Sequence, residues 1–91
     1  MTHKTSVVEI KNADGLHARP SASFVKTANQ FSSTIFVEKN GEKANGKSII
    51  GLMTLAATRG NKIKITANGP DATDAVKALE KLVNSQFGES N

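Results

Sequence analysis

The order of apolar and polar residues along the chain predicts strands that each have one buried face. Val8 and Ile10 alternate with Val7, Glu9 and Lys11, which is typical of a half-buried strand. Further strands are predicted at residues 34–39, 42–45 and 62–67. Strands of this kind fit a sheet that is covered on one side and exposed to water on the other.

Apolar residues at helical spacing predict three helices between and after these strands. The first helix runs from Ala18 to about Asn29, and its expected apolar positions are Ala22, Phe24, Val25 and Ala28, with Phe31 just beyond it. The second is short and begins after Ser48, whose side chain is suited to an N-cap. The third begins at Pro70 or Asp71, and its apolar residues are Ala72, Ala75, Val76, Leu79, Leu82 and Val83. The predicted order is therefore β-α-β-β-α-β-α, an α+β arrangement with helices on one face of the sheet.

Length and composition indicate one small domain. The 91 residues form a single unit over 1–91, with an ordered region of about 4–86 and a frayed polar tail from Ser85. There is no cysteine, and of the two histidines His3 lies in an expected frayed end, so no metal site or cofactor is predicted. No segment is long and apolar enough to be a membrane span or a signal peptide, which indicates a cytoplasmic protein.

The net charge of +4 raises the question of nucleic-acid binding. The only aromatic residues are four phenylalanines, and the lysines are scattered along the chain. Because the chain has no tyrosine or tryptophan for base stacking and no clustered basic patch, we expect acidic protein partners rather than nucleic acid.

Residues 41–48 satisfy the nucleotide-binding pattern G-x-x-x-x-G-K-[ST] between a predicted strand and a predicted helix. Asn40-Gly41 is, however, a strong hairpin signal, so residues 42–45 are needed as a returning strand and leave no phosphate-binding loop. No later apolar strand ends in an aspartate that would hold magnesium. We therefore reject nucleotide hydrolysis.

The segment Gly15-Leu16-His17-Ala18-Arg19-Pro20 carries the most specific chemistry of the chain. Pro20 suits the first turn of a helix, which places His17 at the helix entrance. Unpaired N–H groups and the positive end of the helix dipole favour an anion there, so His17 is placed to carry a phosphoryl group on a ring nitrogen with Arg19 beside it. The alternative from geometry alone is an ordinary capping or surface histidine.

This hexapeptide resembles the active-site signature of HPr, the histidine-containing phosphocarrier family of the bacterial phosphoenolpyruvate-dependent phosphotransferase system. The segment Asn45-Gly46-Lys47-Ser48-Ile49-Ile50-Gly51-Leu52-Met53-Thr54-Leu55 resembles the regulatory-serine segment of the same family, and the spacing between the two motifs matches. The similarity runs from about Ser6 to about Val83. It implies an open-faced β-sandwich with a four-stranded antiparallel sheet and three helices.

The resemblance also implies the function. The protein is expected to accept a phosphoryl group from enzyme I on the δ-nitrogen of His17 and to pass it to IIA domains of sugar permeases. Arg19 and the backbone N–H groups of Ala18 and Arg19 would stabilise the phosphate oxygens. Since no general base, nucleophilic partner or metal site accompanies His17, we predict a carrier rather than an enzyme, with catalysis supplied by its partners.

Further residues are assigned through the same resemblance. Ser48 would be phosphorylated by an HPr kinase/phosphorylase, although an N-cap alone also explains this residue. Ile49, Ile50 and Met53 would form a docking patch, yet one or two of them are expected in the core. Lys26 is either a rim contact or a solvated lysine, and a monomer is expected.

Two residues depart from the family pattern, and neither is expected to touch the phosphoryl chemistry. Ser21 stands where alanine is frequent, and Pro70 precedes the last helix. A second hypothesis is a mainly regulatory module whose Ser48-phosphorylated form binds a transcription regulator. Family members specialised in that way tend to lack the histidine, so the presence of His17 favours the carrier.

Overall fold

The computed structural model describes residues 2–88 and has the predicted order of elements. These are β1 (Thr2–Glu9), α1 (Ala18–Ala28), β2 (Thr34–Lys39), β3 (Glu42–Asn45), α2 (Ile49–Thr54), β4 (Lys62–Gly69) and α3 (Ala72–Asn84), followed by a 3₁₀ turn at Gln86–Gly88. The prediction of a frayed tail from Ser85 is wrong as far as Gly88, because Phe87 of the 3₁₀ turn is buried in the core; residues 89–91 lie outside the described range.

The four strands form one antiparallel sheet in the order β1-β4-β2-β3. The register places Ile65 of β4 between Ser6 of β1 and Val37 of β2, and Val37 in turn faces Ala44 of β3. The three helices cover one face, so the predicted open-faced sandwich is confirmed.

The core lies between the inner face of the sheet and the helices. Its largest fully buried side chains are Ile10, Phe24, Ile35, Val37, Leu52, Ile63, Ile65, Leu79 and Val83. The outer face keeps Val7 60% exposed and holds the ammonium of Lys43 4.5 Å from the ring centre of Phe36. The alternation read from the sequence therefore separates the two faces correctly, because neighbouring side chains of a strand point to opposite sides.

The β2–β3 connection is the tight hairpin that the Asn-Gly pair predicts. Asn40 and Gly41 both have positive φ, at 50° and 86°, and Lys39 pairs with Glu42 across the turn. Residues 42–45 are hydrogen-bonded as a strand, so the segment that matches the nucleotide-binding pattern contains no phosphate-binding loop.

Three further details differ from the sequence predictions. Ala22 is exposed, because the buried face of α1 consists of Pro20, Ser21, Phe24 and Ala28. His3 is not in a frayed end, since it pairs with Asn68 in the sheet. Strand β4 continues to Gly69, beyond the predicted end at residue 67, and its additional residues pair with the start of β1.

The carboxylate of Asp71 joins the segment after α1 to the start of α3. Asp71 precedes α3, and its oxygens accept the N–H groups of Ser32 and Ser33 at 2.9 and 3.0 Å as well as the Ser33 hydroxyl. Hydrogen bonds, foremost those from the Ser33 hydroxyl and the Ser32 N–H, hold the pKa of Asp71 below its ordinary value. The carboxylate therefore does not cap α3, although it occupies the N-cap position.

The short helix α2 is held at both ends by residues outside it. Ser48 Oγ accepts the N–H of Gly51 at its N-terminal end. At its C-terminal end, Lys39 Nζ donates to the carbonyl oxygens of Leu55 and Ala56 at 3.1 and 3.2 Å. The positive charge of Lys39 also interacts favourably with the negative end of the helix dipole. Over residues 2–88, no helix combines the length and apolar character of a membrane span.

Candidate functional site

His17 stands immediately before α1, in the N-cap position that the sequence predicts. Its backbone is extended, with φ −82° and ψ −167°, and its side chain does not cap the helix. The side chain is 42% exposed, and its Nε2 lies 3.9 Å from a carboxylate oxygen of Asp14, an ion-pair separation that is too long for a hydrogen bond.

One nitrogen of the His17 ring, Nε2, is enclosed by the protein. Nε2 is buried, although the side chain as a whole is 42% exposed. The exposed surface of the side chain therefore comes from atoms other than Nε2.

The first turn of α1 supplies backbone donors beside His17. The first N–H groups of a helix have no partner within the helix, and Pro20 has none to offer, so Ala18 and Arg19 are the donors at this end. Both residues are exposed, including the guanidinium-bearing side chain of Arg19. Together with the helix dipole, they form a setting that attracts an anion.

The loop before His17 is held by hydrogen bonds to its backbone. Asn12 Nδ2 donates to the Gly15 carbonyl at 2.8 Å, and the Leu16 N–H donates to the Ala57 carbonyl at 2.9 Å. Gly15 has a φ of +65°, in the left-handed region that favours glycine. The loop is thereby attached to the segment that follows α2.

Ser21 makes a side-chain hydrogen bond that sequence reasoning missed. Its Oγ donates to the Leu16 carbonyl at 3.1 Å, and its backbone N–H donates to the His17 carbonyl at 3.0 Å. The only signal in the sequence is a serine where the family often has alanine, and that signal does not show which group the hydroxyl contacts.

An open depression of about 260 Å³ lies beside His17. It is lined by Asp14, Leu16, His17, Met53, Ala56, Ala57 and Thr58. The structure thus brings Met53, one of the predicted docking residues, to the same surface as the histidine.

The predicted docking residues are all exposed. Ile49 is 40% exposed, Ile50 75% and Met53 41%, whereas Leu52 on the opposite side of α2 is fully buried. The expectation that one or two of the three lie in the core is wrong, because Leu52 and Leu55 fill the core beneath this helix. Together, Ile49, Ile50 and Met53 form an exposed apolar surface that we call the α2 patch.

Ser48 has the capping geometry expected from its sequence position. Its backbone is extended, at φ −121° and ψ 116°, and its Oγ accepts the Gly51 N–H at 3.0 Å. A hydroxyl that accepts a hydrogen bond still retains its own proton and a second lone pair. Ser48 is directly continuous with the α2 patch through Ile49.

Lys26 is not placed beside the histidine. It is exposed in the last turn of α1, eight positions after Ala18, which is a distance of about 12 Å along the helix axis. Within residues 2–88, no group of three or more His, Cys, Asp or Glu side chains could hold a metal ion.

Comparison with known proteins gives consistent matches along the chain. The family model PTS-HPr, described as the PTS HPr component phosphorylation site, matches residues 4–85. The phosphocarrier protein HPr of Neisseria meningitidis is 50% identical over 82 residues, covering 90% of this chain and 92% of that protein. The HPr-like protein Crh of Halalkalibacterium halodurans is 47% identical over 79 residues, 87% of this chain and 94% of that protein.

Solved structures agree with these matches. The crystal structure of HPr-C-His from Thermoanaerobacter tengcongensis superposes with a TM-score of 0.93 at 52% identity, covering 97% of this chain and 99% of that chain. A further structure from that organism is an HPr dimer. The match of one family model to residues 4–85, with relatives and folds in agreement, shows that this chain belongs to the HPr family of phosphocarrier proteins of the phosphotransferase system.

Proposed function

We propose that this protein accepts a phosphoryl group from enzyme I on His17 and passes it to the IIA domains of sugar permeases in the cytoplasm. The observation that carries the proposal is the half-exposed His17 ring at the entrance of α1, between an anion-attracting helix end and an open depression. Membership of the HPr family supports it.

The transfer requires an unprotonated ring nitrogen as the nucleophile. That nitrogen attacks phosphorus, a P–N bond forms on His17, and the bond between phosphorus and the donor breaks. The enclosure of Nε2 supports Nδ1 as the accepting atom, since the exposed part of the side chain lies elsewhere. Passing the group to a IIA domain repeats the same exchange in the opposite sense and regenerates the unphosphorylated histidine.

Arg19 and the N–H groups of Ala18 and Arg19 would contact the phosphoryl oxygens. A guanidinium and two amides neutralise charge on the oxygens while the P–N bond stays available for transfer. Because they stabilise the transferring group without acting on the leaving atom, their role suits a carrier whose catalytic groups belong to its partners.

The α2 patch is proposed as the surface on which enzyme I and IIA domains dock. Its three side chains are exposed although they are apolar, and Met53 lines the depression beside His17. Exposed apolar side chains next to a reactive residue are typical of interaction sites. Lys26 would contact a partner only at the rim of such an interface.

Phosphorylation of Ser48 by an HPr kinase/phosphorylase is proposed as the regulation of this docking. A phosphate there would lie at a helix N-terminus, which tolerates negative charge, and beside Ile49 of the α2 patch. The fold would therefore persist while the docking surface gains a strongly hydrated charge.

A second candidate function is a mainly regulatory module whose phospho-Ser48 form binds a transcription regulator. The 47% identity to an HPr-like Crh protein favours keeping this candidate. The presence of His17 in the geometry described above supports the carrier in preference to it.

We propose a monomer, because both edge strands of the sheet carry charged residues that oppose pairing with another sheet. Lys4 and Glu9 lie on β1, and Glu42 and Lys43 lie on β3. Since an HPr structure from Thermoanaerobacter tengcongensis is a dimer, sedimentation of the purified protein over a range of concentrations tests this proposal directly.

Incubation with enzyme I and phosphoenolpyruvate tests the carrier function. We expect a mass increase of one phosphoryl group that is lost in acid, and no increase in His17→Ala. His3→Ala is the matched control, since His3 is the other histidine and is exposed in β1. An acid-labile phosphate that persists in His17→Ala would overturn the assignment.

A further inference from the structure

Ser21 holds both carbonyl groups that flank His17. Its Oγ donates to the Leu16 carbonyl, which belongs to the peptide group before His17, and its N–H donates to the His17 carbonyl, which belongs to the peptide group after it. Ser21 itself is fully buried. Both peptide planes adjoining the His17 Cα are therefore fixed by one residue.

The hydroxyl of Ser21 replaces a donor that the backbone does not supply. Leu16 precedes His17, the N-cap residue, so its carbonyl lies outside the hydrogen-bond ladder of α1 and receives no helical N–H. The His17 carbonyl has an ordinary partner in the Ser21 amide, whereas the Leu16 carbonyl depends on the Ser21 side chain. A buried carbonyl without a hydrogen-bond donor is unfavourable, so removal of the hydroxyl favours rotation of this peptide group.

Rotation of the Leu16–His17 peptide group would move the histidine ring. This rotation changes ψ of Leu16 and φ of His17, the backbone torsions that set how the His17 Cα and its imidazole lie relative to the loop before α1. The preceding amide, the N–H of Leu16, is anchored to the Ala57 carbonyl at 2.9 Å, so the change would concentrate at His17.

We propose that Ser21 is a positioning residue for His17, which uses its hydroxyl to hold the imidazole in the orientation that accepts and donates the phosphoryl group. This inference rests on the proposed carrier function of His17. Ser21 does not touch the phosphoryl group, and it acts only through the Leu16 carbonyl.

Ser21→Ala tests the inference with little risk to the fold. The change removes one buried oxygen, adds no atom, and introduces the residue with the highest helix propensity. Ser33→Ala is the matched control, because Ser33 is also buried and its hydroxyl also makes a hydrogen bond, to Asp71. Ser33 lies beyond the C-terminal end of α1, a helix about 16 Å long. Loss of its hydroxyl therefore perturbs the fold far from His17.

Two measurements compare these variants with the wild type. The first is phosphorylation by enzyme I, for which we expect kcat to fall roughly tenfold in Ser21→Ala, since small misplacements of reacting groups have effects of this order. KM should stay unchanged because the α2 patch is untouched. The second is the set of ¹⁵N chemical shifts of the His17 ring in the free protein at fixed pH, which report ring environment and tautomer without any partner.

We expect Ser21→Ala to change both kcat and the His17 ring shifts, and Ser33→Ala to change neither. Ring shifts in Ser21→Ala that coincide with those of the wild type would overturn the positioning role, as would an equal loss of kcat in Ser33→Ala. If enzyme I does not phosphorylate the wild type, the proposed carrier function fails, and the ring shifts still decide whether Ser21 orients His17.

Discussion

Gly15 packs directly against the backbone of Ala57. A Cβ at Gly15 would stand 2.2 Å from the Ala57 carbonyl oxygen and 2.7 Å from the Thr58 Cα, and the φ of Gly15 is +65°. This contact packs the loop before His17 against Ala57 and Thr58, which line the depression beside the histidine. The approach is possible only because residue 15 lacks a side chain.

Gly15→Ala should therefore lower the free energy of unfolding by about 2–4 kcal/mol, the combined cost of overpacking and of a left-handed backbone. Gly41→Ala is the control, since Gly41 has a φ of +86° but no atom within 4 Å of the point where a Cβ would stand. That variant should lose only about 1–2 kcal/mol. Urea denaturation measures both, and equal losses would show that the contact with Ala57 is unimportant.

Arg19→Ala should slow phosphoryl transfer to and from His17 without abolishing it. One charge-assisted contact contributes a rate effect of roughly ten- to a thousandfold. Because Arg19 is exposed, the melting temperature should change little. Lys77→Ala removes a positive charge from the exposed surface of α3 and should leave transfer unchanged. Stopped reactions with enzyme I give the rates, and unaffected transfer in Arg19→Ala would make this residue a solvated neighbour.

Ile50→Ser should weaken docking of enzyme I. Ile50 is 75% exposed in the α2 patch, and burying such a side chain contributes about 1.5–3 kcal/mol, so KM should rise roughly tenfold or more. Val7→Ser is the control, because Val7 is 60% exposed but lies on the outer face of the sheet. Steady-state kinetics with each variant as the phosphoryl acceptor separates the two surfaces. Equal increases in KM would contradict a docking role specific to α2.

Ser48→Asp should slow phosphorylation of His17, and Ser48→Ala should not. Aspartate adds a charge beside the α2 patch and still caps the helix, while alanine removes the bond to the Gly51 N–H at a cost of about 1 kcal/mol in stability. Thr73→Asp places the same charge at the N-terminus of α3 and serves as the control. Rates measured side by side decide the question, and identical rates for all four proteins would leave Ser48 as a helix cap.

Stability should depend on pH through Asp71. Its pKa is lowered in the folded state, foremost by the hydrogen bond from the Ser33 hydroxyl. The stabilisation of the fold by the ionised Asp71 carboxylate is therefore complete above the ordinary pKa of 3.8. As the pH falls below that value towards the lowered pKa, the folded state loses this contribution. The difference in melting temperature between wild type and Asp71→Asn should therefore be largest near neutral pH and shrink in acid. A constant difference across this range would contradict the assignment.

Most of the fold could be predicted from the sequence because its signals are local. Strand alternation, the Asn40-Gly41 hairpin and the cap at Ser48 each depend on residues close together in the chain, and the structure confirms all three. The sequence also places His17 correctly at the start of α1 for the same reason, since Pro20 follows it.

The details that sequence reasoning missed depend on contacts between distant segments. Ala22 fits the apolar face that the sequence predicts for α1, but the face that is buried in the structure includes Pro20 and Phe24 and leaves Ala22 exposed. The extension of β1 to Thr2 depends on where β4 ends. The hydrogen bonds from Ser32 and Ser33 to Asp71 also join residues nearly forty positions apart, and local sequence patterns do not reveal them.

The support of α2 from outside has a consequence for how this surface changes in evolution. The helix is held at its ends by Ser48 and Lys39 and packs into the core through its own Leu52, and none of these three residues belongs to the α2 patch. Ile49, Ile50 and Met53 are therefore open to replacement at little thermodynamic cost, since exposed positions contribute little to stability. With the docking role proposed above for the α2 patch, partner preference can change through these three residues while the same fold persists.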